Sequence, residues 1–162
     1  AGPSSIDTSY GNVSIDLGCE DQGALGTIRM NSGGSLTTRR GIAIGRNGIF
    51  RVRGSGTSVG IGSVGNGDGF WLQKEGGILC VNIDDDDTGV TPIFIDEVDT
   101  SNGSAGDVVF ENGALLYVDF SDASNLGTYT VMEWEGSVTD NGLEFHPDVN
   151  TDVWSFEIDP TD

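Results

Sequence analysis

Apolar residues along this chain fall in short alternating runs, with glycine marking the breaks. Two apolar residues spaced by one and closed by Gly recur as "IDLG" (15–18), "IAIG" (42–45) and "VGIG" (59–62). After a Gly- and Asn-rich spacer comes an apolar-x-apolar strand: Ile28-Arg29-Met30, then Phe50-Arg51-Val52, then Phe70-Trp71-Leu72. A corner of small residues follows, as "SGGSL", "GSGTSV" or "EGGIL", and the pattern returns in "VVFENGALLYV" (108–118). Matching strands lie about 20 residues apart, within the range of solenoid repeats. Side chains alternate across a strand, so Ile28, Met30, Phe50, Val52, Phe70 and Leu72 are expected on one side. Arg29, Arg51 and Trp71 then stack outward on neighbouring coils, beside Asn31, Arg53 and Gln73.

The fold these periods predict is all-β: a short right-handed parallel β-helix (β-solenoid) with a C-terminal β cap. The 162 residues are read as one domain. Residues 1–24 form an N-terminal strand or cap and 25–84 the Gly-rich coils. Residues 85–105 form an acidic loop excursion, and 106–162 the last coil and cap. Past Leu79 the strand-like runs "ALLYVDF", "GTYTVMEWEG", "LEFHP" and "DVWSFEID" are richer in aromatics and separated by turn signals. A solenoid end without a cap exposes apolar surface and unpaired strand edges, which is the reason to expect one there.

Composition strengthens the strand reading. The chain holds 26 Gly against 4 Pro, and Gly in a helix interior costs about 1 kcal/mol relative to Ala. It starts Ala-Gly-Pro without an initiator Met, as expected of a mature secreted chain whose signal peptide has been removed. At 162 residues it reads as complete. No apolar run is long enough to span a bilayer, so membrane insertion is not expected. Too little positive charge is present to neutralise a phosphate backbone, which argues against nucleic acid. An extracellular or cell-surface location follows, and there Cys19 and Cys80 are candidates for a disulfide.

The modules "IAIGRNGIFRVRGSGTSV" and "VGIGSVGNGDGFWLQKEGGIL", with "FENGALLYVDF" and "GTYTVMEWEGSVTDNGLEF" after them, resemble the glycine-rich β-helix repeats of secreted bacterial surface proteins. Such repeats occur in autotransporter passenger regions and in sorted exoproteins. The resemblance implies a β-solenoid outside the cell and carries over no catalytic residue. Most proteins of that kind are much longer than this chain.

Candidate chemistry is sparse. Gly60 to Gly65 matches GxGxxG, but the sequence continues "NGDGFWL" into a strand, where a dinucleotide site needs a helix N-terminus. No cofactor is expected on that ground. Asp84, Asp85, Asp86 and Asp87 form either a solvated loop or a calcium site, since hard cations take clustered carboxylates; the spacing matches neither the EF-hand nor the nonapeptide calcium repeat. A lyase-like enzyme acting on polysaccharide would need the arginines and the aspartates on one face, yet they belong to different segments. His146 is the only histidine, which removes His-based triads and His-rich metal sites.

Charge is the most specific feature. Residues 1–74 hold all seven cations and five acids, whereas 75–162 hold no cation and 21 acids. If sequence order maps onto the solenoid axis, the molecule is electrically polar from end to end. Two unlike, complementary surfaces on one molecule make a heterologous contact that propagates into filaments. The expectation is a non-enzymatic subunit that associates with other copies of itself. Arg29, Arg51, Arg53 and Trp71 would form one surface and the acids from Asp84 onward the other, with "NVSIDLG" and "VWSFEID" able to add as strands. The rival expectation is an adhesin or carbohydrate-binding module, in which that Arg/Trp column holds an anionic polysaccharide.

Overall fold

The structure is a computed structural model. It describes residues 5–8, 15–17, 25–31, 33–38, 40–53, 57–62, 69–84, 93–95, 106–122 and 127–159. Among these residues the chain contains strands and turns and no helix.

The strands follow one another in five triplets, or tiers. The first is β1 (Ser5–Thr8), β2 (Ile15–Leu17) and β3 (Gly26–Met30); the second is β4 (Ser35–Thr38), β5 (Gly41–Ile44) and β6 (Gly48–Val52). The third is β7 (Ser58–Ile61), β8 (Phe70–Gln73) and β9 (Ile78–Asp84). The fourth is β10 (Ile93–Ile95), β11 (Asp107–Phe110) and β12 (Leu115–Asp122), and the fifth is β13 (Met132–Trp134), β14 (Val138–Asp140) and β15 (Glu144–Phe145). Every third strand pairs in parallel, giving three five-stranded sheets ordered β1-β4-β7-β10-β13, β2-β5-β8-β11-β14 and β3-β6-β9-β12-β15. This is a β-helix-like architecture, and chain order runs along its axis. The acidic stretch 85–105 contributes β10 to the first sheet.

Alternation puts one face of the strands from β2 to β12 into a single core cluster drawn from all three sheets. Leu36, Val59 and Ile93 stack in the first sheet, Ile42, Trp71 and Val108 in the second, Phe50, Leu79 and Leu116 in the third. All nine are buried. The segments Ile42–Val52, Trp71–Val81 and Val108–Val118 superimpose residue for residue through the pairings at both their ends. Each turns from the second sheet to the third through a hydrogen bond closing four residues, Gly48 N to Gly45 O, Gly77 N to Lys74 O and Ala114 N to Glu111 O. The third position of the latter two turns has positive φ and is glycine, Gly76 and Gly113, because a Cβ there is strained.

Phe70-Trp71-Leu72 departs from the sequence reading. Trp71 pairs with Ile42 and Val108, not with Arg51, and it is fully buried; Phe70 and Leu72 face outward and are half-buried. The run resembles Phe50-Arg51-Val52 in spacing from the preceding Gly module, but it belongs to the second sheet, and its parity is reversed. Gln73, expected outward, is also interior. Its amide donates to the carbonyls of Gly77 and Leu115, both at 2.8 Å, and so satisfies the corner that the chain turns there.

Candidate interaction surfaces

The arginine ladder is present on the outer face of the third sheet. Arg29 pairs with Arg51 in register, as the alternation predicted, and Arg51 pairs next with Cys80, which pairs with Tyr117. Leu116 pairs with Phe145, so the column continues to His146, whose ring meets Tyr117 edge-on at 5.3 Å. The column is therefore Arg29, Arg51, Cys80, Tyr117 and His146, with Cys80 in the place assigned to Trp71. Beside it run Asn31, Arg53, Asn82 and Asp119, with Asn82 in the place assigned to Gln73.

Stacked guanidinium groups repel, and the neighbouring tier offsets this. Arg51 Nε donates to Cys80 Sγ at 3.1 Å. That contact is the main reason the Arg51 guanidinium is held above its ordinary range, with Asp119 adding to it. Burial pushes the Cys80 thiol up, while Arg51 and Arg29 pull the other way. The thiol is free, covered to 3% exposure and protonated at neutral pH, so it serves here as an acceptor and packing group. Cys19, its expected disulfide partner, lies outside the described residues.

Other sequence-predicted residues are dispersed. Asp84 ends β9, and Asp85, Asp86 and Asp87 lie outside the described residues, as does Arg39. Among the described residues no group of three or more His, Cys, Asp or Glu is placed to hold a metal. Gly60 and Ile61 of the GxGxxG run lie in β7, a strand, and residues 63–65 lie outside the description. Arg46 makes an exposed ion pair with Glu75 at 2.8 Å, where the cationic and acidic halves meet.

The sequence reading missed the far end of the stack. The inward residues of the last tier, Met132, Trp134, Val138 and Phe145, are only partly buried. A cavity of about 890 Å³ opens there. Core residues of the third and fourth tiers, including Leu79, Phe110 and Leu116, line its floor, and residues 127–134 and 153–159 form its walls. The segment after β15 crosses this region with Phe156 edge-on to Phe145 at 5.0 Å and Trp154 near Tyr129 at 6.5 Å. Trp134 lines the cavity, and its indole N–H is buried without an acceptor. The aromatic richness of "YTVMEWEG" and "VWSFEID" was the signal for this end.

Because chain order follows the axis, the charge asymmetry becomes spatial. Positive charge gathers at the second tier, with Arg40, Arg46, Arg51 and Arg53; the chain up to the end of β3 holds Arg29 against Asp7, Asp16, Glu20 and Asp21, and from Glu75 onward it holds no Lys or Arg. Comparison of the chain with family models, with curated proteins and with solved structures found no match.

Proposed function

We propose that this protein is a secreted, non-enzymatic structural subunit that associates head to tail into an extracellular filament or surface matrix. The observation that carries the reading is the sheet order. All three sheets terminate in β1, β2 and β3 at one end and β13, β14 and β15 at the other, so the two ends present different strands. A terminal strand offers backbone donors and acceptors to another parallel strand. Since the two ends differ, joining them is heterologous and repeats without closing by a dyad. In the full form of this reading the sheets wind as a right-handed parallel β-helix of the kind found in glycine-rich bacterial surface proteins, and residues after β15 act as a C-terminal cap that a second copy displaces or builds on.

Arg29, Arg51 and Arg53 lie in the first two tiers, and the acids of the later tiers supply the complementary field. Calcium at Asp84 to Asp87 would serve this reading as a bridge between carboxylates. Capture of an acidic polysaccharide by the arginine face is the weaker reading, because Trp71, its intended stacking platform, is interior. The aromatic member of the column is Tyr117, separated from Arg51 by buried Cys80.

Sedimentation velocity across a salt series tests the proposal. Concentration-dependent species larger than a monomer are expected at low salt. They should diminish as salt shortens the Debye length to about 3 Å at 1 M. A strictly monomeric protein at both low and moderate salt would sink the reading.

A further inference from the structure

Close-packed interiors hold few voids larger than a water molecule. The last tier nevertheless leaves a cavity of about 890 Å³, within the roughly 300–1,000 Å³ of small-molecule sites. Core residues form its floor, and its walls are largely aromatic: Tyr129, Trp134, Phe145, Trp154 and Phe156 all line it. Closing the stack does not by itself call for rings, since aliphatic side chains bury apolar area as well. Tyr129 and Trp154 stand 6.5 Å apart between ring centroids and are tilted by 53°. A positive charge lodged between them lies within the roughly 6 Å of both centroids over which an aromatic ring attracts a cation.

The charged residues of the lining are acids alone. Glu133, Glu157 and Asp159 line the cavity and are exposed, and the whole chain after Lys74 holds no Lys or Arg. An anionic ligand therefore meets like charges here and no opposite one. A neutral apolar ligand gains from burial but nothing from the carboxylates. An organic cation gains from the burial of its apolar body, from the rings and from the acids together. Lining and charge thus select the same chemical class.

We propose that this cavity binds a small organic cation, a quaternary ammonium or protonated amine carried on an apolar body. The body lies against the floor formed by Leu79, Phe110 and Leu116, and the charged head lies toward the aromatic and acidic walls. The head belongs at the walls because the floor is part of the apolar core, where a charge without a partner is costly. Residues 127–134 and 153–159, which form those walls, then do more than cover the end of the stack. The site needs nothing from a second copy, so it stands apart from the head-to-tail reading.

Probes that share a phenylalkyl body and differ in charge test the site: (3-phenylpropyl)trimethylammonium, 4-phenylbutan-1-ol and 4-phenylbutanoate. Trp134 and Trp154 line the cavity, while Trp71 is buried in the core outside the lining, so tryptophan fluorescence reports occupancy and equilibrium dialysis gives the stoichiometry. Salt at about 0.15 M shortens the Debye length to about 8 Å and suppresses diffuse attraction to the acidic chain. The cation is expected to bind once per chain and about tenfold tighter than the alcohol, and the carboxylate not to bind. Trp154→Leu keeps an apolar wall and removes a ring, and Glu157→Gln removes an exposed charge. Each variant should weaken binding of the cation more than that of the alcohol. Circular dichroism checks the fold, and Glu133→Gln replaces Trp154→Leu if that variant unfolds. Probes bound alike would show an unselective apolar hole, and a cation held equally well by the variants would show diffuse charge alone. Either result, or no saturable binding of the cation, overturns the proposal whatever the assembly state in sedimentation velocity.

Discussion

At the scale of single residues, the outer column of the third sheet shows how a neighbouring tier resolves a local conflict. Arg29 and Arg51 are adjacent like charges, and the residue that receives Arg51 is a buried thiol. Burial is the leading cause of the raised Cys80 pKa. The folded state therefore holds the thiol proton more tightly than the unfolded chain, whose Cys titrates near about 8.5. Stability from this source is full below that pH and is lost as pH rises through the folded value. The unmodified protein should lose thermal stability between pH 7 and pH 10 more steeply than Cys80→Ala. Melting curves at the two pH values measure this, and parallel losses in the two proteins would contradict it. Trp71 teaches a different lesson at the same scale. Alternation showed that Trp71 and its neighbours point to opposite sides, but the side itself depends on which sheet the run joins, and spacing from the preceding glycine module pointed to the wrong one.

At the scale of elements, the strands and the parallel stacking were legible, and so was the Arg29–Arg51 register. The better alignment was also written in the chain: "GTIRMN", "GIFRVR", "GILCVN" and "ALLYVD" share the third sheet, and each begins with a small residue, Gly or Ala. Variable connections hid it. The segment joining the second and third sheets keeps its length over three tiers, whereas the links around it do not, so a fixed period of about 20 residues slips out of phase. Gly41 and Phe70 show what tier-to-tier fit demands. They pair directly, and a Cβ on Gly41 would stand 2.4 Å from the Phe70 ring. Gly41→Ala should cost about 1–3 kcal/mol through overpacking. With Phe70→Val the loss should fall below the sum of the two single changes, as urea denaturation would report. Additive losses would show that the ring moves aside without cost.

At the scale of the whole molecule, three parallel sheets turn a sequence-level charge asymmetry into an axial one. They also leave two unlike ends: one with an aromatic-walled cavity, and one formed by β1, β2 and β3. The cavity itself was not legible beforehand, because it arises from incomplete closure of the last tier; only the aromatic richness of "YTVMEWEG" and "VWSFEID" marked that end. Tiers of parallel strands repeat about every 4.8 Å, so five of them advance about 24 Å per subunit when copies stack in register. Electron microscopy of assembled protein at low salt tests the central claim most directly. The account predicts unbranched polar filaments with strands across the axis and a subunit repeat near that rise; isolated particles, or dyad-symmetric pairs that do not extend, would contradict it.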